Sequence, residues 1–192
     1  MKKLAIFASG SGSNAQKILE FFENSSDVSV ALILSNRPEA GVLDRAAKFK
    51  VPTYVFDRQS LMNAEVLKVL QQHDIEWIIL AGFLWLMPSN ILDEYPDRVI
   101  NIHPALLPQY GGAGMYGSRV HEAIWQNGEQ ETGITIHYVN NNYDEGQIIM
   151  QARTRLSSSD TPLTIEKKVH ELEHAYLPFV ILQTIRLKSQ NS

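Results

Sequence analysis

Asn101 and His103 stand two residues apart in "INIHPALLPQYGGAGMYG" (100–117), where an apolar run gives way to a polar, glycine-rich stretch. Residues two apart on an extended strand share a face, so this amide and imidazole are directed together. Such a pair can donate hydrogen bonds to an oxygen that gains negative charge, which suits acyl transfer without a covalent enzyme intermediate. The missing element is a carboxylate to orient and charge the imidazole. Asp144 in "NNYDEG" is the candidate, with Gly146 permitting a tight turn. A carboxylate there would raise the His103 pKa and favour the cation. The plainer alternative is structural, an Asn and a His satisfying loop backbone groups.

A second polar stretch, "SGSGSNA" (9–15), follows a predicted strand and opens a predicted helix. Backbone N–H groups and the positive helix end at such a junction make a site for phosphate, with Gly10 and Gly12 permitting close approach and Ser11, Ser13 and Asn14 able to add side-chain donors. A tight turn with a Ser or Asn cap would need no ligand. The spacing also fits part of a dinucleotide fingerprint, so a nicotinamide enzyme is a rival. The acidic ribose ligand expected for that rival is missing, and Ser35, Asn36 and Arg37 stand in its place, suiting either a phosphorylated ribose or a surface turn. Asp144 and Glu145 with His137 or His103 could be read as metal ligands. No HExxH or comparable pattern accompanies them, so no metal is expected. Ser118 lacks a nucleophile-elbow context and reads as a helix cap.

These residues need a scaffold, and strand-length apolar runs alternate with helical segments along the chain. That alternation predicts an α/β fold, a mainly parallel central sheet with helices on both faces. The predicted strands are 4–9, 28–35, 52–56, 77–83 and 98–102, with "WIILAGF" (77–83) central because it is the most apolar. Helices are expected at 15–24, 41–50, 64–74, 88–95 and 118–128. "TGITIHYV" and "QIIMQARTRL" form an antiparallel C-terminal strand pair, Ile134, Ile136 and Tyr138 alternating with Thr135 and His137. A terminal helix over 161–188 has Thr161 or Thr164 as cap and a kink at Pro178. The last few polar residues are expected to fray. No linker or repeat divides the 192 residues, so 1–192 reads as a single domain.

Composition is that of an ordinary soluble protein, 44% hydrophobic and 20% charged, which favours neither disorder nor a membrane class. A net charge of -4 supplies no general field for nucleic acid or an anionic membrane, and neither is expected as a partner. With no cysteine, disulfides and thiolate chemistry are excluded. The apolar run in "MKKLAIFASGSGSN" is too short for a secretory signal and reads as a first strand in a cytoplasmic protein.

In order along the chain, "ASGSGSN", "LSNRPEAGVLDRA", "LAGFLWLMP", "INIHPALLP", "GITIHYVN", "YDEGQIIMQ" and "ELEHAYLP" resemble the folate-dependent formyltransferase superfamily, and within it the phosphoribosylglycinamide formyltransferases. "NIHPALLP" with "DEG" marks the whole superfamily; the full set of motifs narrows the resemblance. It implies a Rossmann-like formyltransferase fold. It also implies formyl transfer from 10-formyltetrahydrofolate, as co-substrate, to the glycinamide amine of 5'-phosphoribosylglycinamide in purine biosynthesis.

By this resemblance Asn101 and protonated His103 stabilise the oxyanion, while Asp144 orients His103 and assists proton movement through water. Ser11, Gly12, Ser13 and Asn14 would hold the substrate phosphate, and Glu173 the ribose hydroxyls. The reduced folate would lie against Phe83, Leu84, Trp85, Leu86 and Met87, and against Val139, Asn140, Asn141, Asn142 and Tyr143, largely through backbone groups. A homodimer is allowed. Two features depart from many members: Trp85 stands at a frequent Arg position, and "YGGAGMYGS" replaces a Pro-Gly-Leu stretch with a following His. An indole cannot supply a guanidinium fork.

Rival enzymes keep the same catalytic set. A sugar-nucleotide formyltransferase would need a different acceptor pocket. Formylmethionyl-tRNA synthesis and deformylation are disfavoured, because those relatives carry an added carboxyl-terminal or amino-terminal domain. An NADP(H)-dependent reductase and a noncatalytic ligand-binding descendant complete the alternatives.

Overall fold

Apolar strands separated by short amphipathic helices build the first half of the chain. The computed structural model describes residues 1–190, and the chain divides into two compact units, Met1–Asn101 and Ile102–Ser192. The first unit runs β1 (Lys2–Phe7), α1 (Ser13–Phe22), β2 (Val28–Ser35), α2 (Gly41–Lys48), β3 (Thr53–Val55), α3 (Arg58–Met62), α4 (Glu65–Gln72), β4 (Trp77–Leu80) and α5 (Ser89–Glu94). It ends in β5 (Val99–His103), whose last residues begin the second unit.

The strand order is β3-β2-β1-β4-β5, and every pairing is parallel. Leu4, Ala5, Ile6 and Phe7 of β1 and Ile78 and Ile79 of β4 are completely buried, which is why these strands read as continuous apolar runs. As expected from its composition, β4 is internal, paired with β1 on one side and β5 on the other. The order of strands reverses between β1 and β4. In open α/β sheets that switch point leaves a crevice beyond the carboxyl ends of the strands, where ligands bind.

The second unit contains α6 (Ser118–Gln126), β6 (Glu131–Tyr138), β7 (Ile148–Arg155) and α7 (Pro162–Gln190). β6 and β7 pair antiparallel as predicted, with a register shift between Ile136 and His137. The expected half-buried alternation of β6 does not hold, because Thr135 and His137 are buried along with Ile134 and Ile136. Thr135 satisfies its hydroxyl inside the protein: it donates to the Ala105 carbonyl at 2.7 Å and accepts from the Leu107 amide at 3.0 Å. This contact ties the "PALLP" turn to β6.

Two local expectations change, and the expected terminal helix runs through its proline. α3 was not foreseen, being one short helix with only Leu61 buried, although the Asp57 carboxylate caps it by accepting from the Ser60 amide at 2.8 Å. Ser118 is not a cap: it is the first residue of α6, and Gly117 occupies the cap position with no side-chain hydrogen bond. α7 continues past Pro178 as one element, with Val169, Leu177, Ile181 and Ile185 buried on both sides of the proline. Packing on both flanks outweighs the single backbone hydrogen bond that proline removes. Thr161 does cap α7, accepting from the Thr164 amide at 3.3 Å. Ser189 and Gln190 are helical, so the expected fraying does not reach them; Asn191 and Ser192 lie outside the described residues.

Candidate active site

The first unit places the glycine loop at the switch point. Gly12 caps α1 in the left-handed region, φ 75°, and a Cβ there would approach the Val42 side chain to 2.6 Å. Only glycine fits, because both the backbone conformation and the neighbour exclude a side chain. No side chain caps α1, so the amides of its first turn face outward from the helix end. The start of α2 braces the loop. Val42 donates its amide to the Gly10 carbonyl at 3.2 Å, and the Arg45 guanidinium donates to the Ser11 carbonyl at 2.7 Å. Ser11 is exposed, Ser13 opens the helix half-buried, and Asn14 is buried.

The stretch after β4 is hydrogen-bonded to this loop. Ser9 donates its amide to the Gly82 carbonyl at 3.0 Å, and its hydroxyl accepts from the Leu84 amide at 3.3 Å. Among the residues assigned to folate, Phe83 and Met87 are buried, with Phe83 edge-on to Phe7 at 5.4 Å between ring centres. Those two side chains therefore belong to the core. Leu84 and Trp85 are half-buried and Leu86 is exposed. Trp85 packs edge-on to Phe56 at 6.2 Å, and the Arg58 guanidinium lies 5.8 Å from the centre of its indole. A cation thus reaches this edge from α3, a feature hidden by the distance in sequence. Ser35 and Asn36, weighed above for a phosphorylated ribose, are engaged in the turn. The Ser35 hydroxyl accepts from the Arg37 amide, and Asn36 accepts from the Ser9 hydroxyl at 2.7 Å.

In the second unit the structure brings His103 and Asp144 together, 3.5 Å apart from Nδ1 to Oδ2. Asn101 precedes His103 by two residues on β5 and shares its strand face. Two influences on the charge of His103 oppose each other. Burial pushes its pKa below the usual histidine value, against the opposing pull of Asp144 and of the Tyr110 carbonyl. Desolvation of a ring only 3% exposed outweighs one carboxylate at this distance, so the neutral imidazole is favoured near neutral pH.

Burial alone would raise Asp144. The His137 hydrogen bond, the His103 ring and the Gly112 amide instead hold it below the usual carboxylate range. His137, considered above only as a metal ligand, is thus a second imidazole on the same carboxylate, 3.7 Å from Nε2 to Oδ1. Its Nδ1 donates to the Tyr138 carbonyl at 2.8 Å. The register shift at Ile136 and His137 locally breaks the strand pairing beside this ring, and no periodicity in the sequence announces it.

Glycine in "DEG" has a reason other than the one read from sequence. Asp144 itself takes the left-handed conformation, φ 58°, whereas a Cβ on Gly146 would collide with the Tyr138 carbonyl that anchors His137. The loop 139–144 is braced internally, with the Asn140 side chain accepting from the Asn142 amide at 3.0 Å and Asn142 donating to Glu145 at 2.8 Å. Val139 is half-buried, and Asn140, Asn141, Asn142 and Tyr143 are exposed. Glu173 is buried on α7, its carboxylate 3.9 Å from the His170 ring. Among the described residues no cluster of three or more His, Asp or Glu side chains could hold a metal ion, and no helix is long and apolar enough to cross a membrane.

Residues 2–181 match the Formyl transferase family. The chain belongs to the formyl transferase family. It is 37% identical to the phosphoribosylglycinamide formyltransferase of Bacillus subtilis, over 99% of this chain and 98% of that protein. With the chloroplastic phosphoribosylglycinamide formyltransferase of Arabidopsis thaliana it shares 39% identity over 90% of its length, spanning 62% of that protein. The crystal structure of phosphoribosylglycinamide formyltransferase from Streptococcus pneumoniae matches with a TM-score of 0.85 and 34% identity, covering 96% of this chain and 99% of that one. As a formyl transferase it has the mainly parallel α/β fold with an antiparallel C-terminal strand pair that its sequence implied.

Proposed function

We propose that this formyl transferase moves the formyl group of 10-formyltetrahydrofolate to the glycinamide amine of 5'-phosphoribosylglycinamide, a step of purine biosynthesis. The observation that carries the reading is the pair of buried His103 and half-buried Asp144, 3.5 Å apart, in a chain whose near full-length relatives bear that activity in their names. In this reading the phosphate of the acceptor lies on Ser11, Gly12, Ser13 and Asn14, and its ribose hydroxyls on Glu173. The reduced folate borders the edge of Leu84, Trp85 and Leu86 and the 139–143 loop, with Phe83 and Met87 supporting from the core.

The amine attacks the formyl carbon, and the carbonyl oxygen becomes an oxyanion that the Asn101 amide stabilises. A His103 that is neutral at rest can accept the proton released as the new C–N bond forms. The imidazolium then faces Asp144, adds its charge to oxyanion stabilisation, and returns the proton to N10 as the old C–N bond breaks. Asp144, held ionised by its own hydrogen bonds, makes that transient cation affordable. In this division of labour the protonated His103 implied by the resemblance is the form that faces the oxyanion.

The reading includes residues 1–192 as one formyltransferase domain, supported by the single family match, and a cytoplasmic location, supported by the lack of cysteine. It uses no metal and no residue from a second copy, and a homodimer is compatible with it. Purified protein should consume 10-formyltetrahydrofolate only when 5'-phosphoribosylglycinamide is supplied. Folded protein that shows no turnover with this amine would overturn the reading.

A further inference from the structure

The "QYGGAGMYG" stretch, which departs from the family pattern, holds both members of the catalytic pair. The Tyr110 carbonyl lies 2.7 Å from His103 Nε2, and two residues on, the Gly112 amide donates to Asp144 Oδ2 at 2.9 Å. Between them Gly111 leaves no room for a side chain: a Cβ would come within 2.5 Å of Leu107 and 3.3 Å of Asp144. A carbonyl only accepts, so Nε2 must carry hydrogen in both charge states of the ring. Proton exchange is then left to Nδ1, the nitrogen that faces Asp144.

Tyr110 is in the left-handed region, φ 57°, an arrangement that costs a non-glycine residue about 1 kcal/mol or more. Something must hold it there. Its phenol donates to the Glu129 carboxylate at 2.6 Å and accepts from the Asn127 side-chain amide at 2.8 Å, so the hydroxyl acts as donor and acceptor at once. Both partners come from the turn that ends α6 and leads into β6, and that turn is closed by the Glu129 amide donating to the Ile124 carbonyl.

We infer that the Tyr110 phenol is a positioning group, locked by Glu129 and Asn127, which fixes the His103 ring so that Nδ1 performs the proton chemistry. The kinetic part of this inference rests on the function proposed above; the ring state does not. The groups facing the imidazole are Asp144 from the 139–146 loop, His137 from β6 and His121 from α6.

Tyr110→Phe keeps the ring and backbone and removes only the hydroxyl. It should lower kcat about tenfold, with KM for both substrates within twofold. Glu129→Ala should match it, whereas Glu129→Gln, whose amide oxygen still accepts from the phenol, should recover to within about threefold of wild type. Tyr116→Phe, elsewhere in the loop, should be silent. Nitrogen-15 NMR of labelled histidine, without substrate, should find His103 as the Nε2–H tautomer in the wild type and a mixture of tautomers in Tyr110→Phe. A wild-type Nδ1–H tautomer, or Tyr110→Phe with unchanged kcat and unchanged His103 signals, overturns the inference. Absence of formyl transfer in the wild type sinks the functional reading alone, because the NMR result still decides the lock.

Discussion

The first unit draws its glycine loop from consecutive residues, Ser9 to Asn14, while the second assembles its His–Asp cluster from residues 103, 110, 112, 137 and 144. The loop presents backbone amides and a glycine that no other residue can replace. The cluster works through side chains whose charge states depend on burial and on one another. A site made of backbone should govern binding of a phosphorylated substrate, and a site made of buried titratable groups should govern turnover. Substitutions in the two units should therefore separate into KM effects and kcat effects.

The sharpest break of that separation would come from His103→Ala, expected to lower kcat about a thousandfold while KM moves by less than about threefold. Steady-state formyl transfer measures both; a rise in KM with kcat preserved would place His103 in binding. Asp144→Asn should lower kcat about a hundredfold, since it removes the charge that faces the transient imidazolium but leaves a hydrogen-bonding group of similar shape. Activity within threefold of wild type would leave the carboxylate with an orienting role only. In the first unit, Gly12→Ala meets Val42 at 2.6 Å and a positive φ. It should raise KM for the phosphorylated substrate about tenfold with kcat within about threefold. An equal fall in kcat would merge the two regions functionally.

The smallest expected effect concerns acid stability. Five of the six histidines lie in the second unit, and three of them, His103, His121 and His137, are buried. Burial pushes His121 down to about 4 from the model-compound value of 6.5, with Glu166 opposing. His103 is lowered in the same direction. For a depressed histidine the unfolded chain takes up protons first. Stability therefore falls as pH drops through 6.5 toward 4, by on the order of 2 kcal/mol if His121 dominates. Urea unfolding at several pH values should show this slope, reduced in His121→Leu. Amide exchange at pH 5 should quicken in β6 before β1; simultaneous quickening in both would show that acid sensitivity is shared by the units.

Much of this was legible in the chain. β2 was read with its observed limits because a continuous apolar run is bounded by turn residues at both ends. The loop before α1 was legible because its turn is built from neighbouring residues of special backbone capacity. The partnership of His103 with Asp144 was anticipated from residue type, and its geometry agrees. The pull of the carboxylate on the ring was read correctly but the opposing burial was not, since a sequence names the carboxylate but not the depth of burial. Tyr110 passed unnoticed because its effect on His103 comes through a carbonyl, which every residue possesses.

Thus the sequence by itself determined the alternation of parallel strands and helices, the family, the glycine loop between β1 and α1 and the identity of the polar side chains, all of which depend on residue type and local order. Only the tertiary structure decided that burial opposes Asp144 at His103, that His137 shares Asp144, and that the Tyr110 carbonyl meets the His103 ring. Those outcomes depend on desolvation and on hydrogen bonds between segments far apart along the chain, and neither quantity is carried by any one stretch of residues.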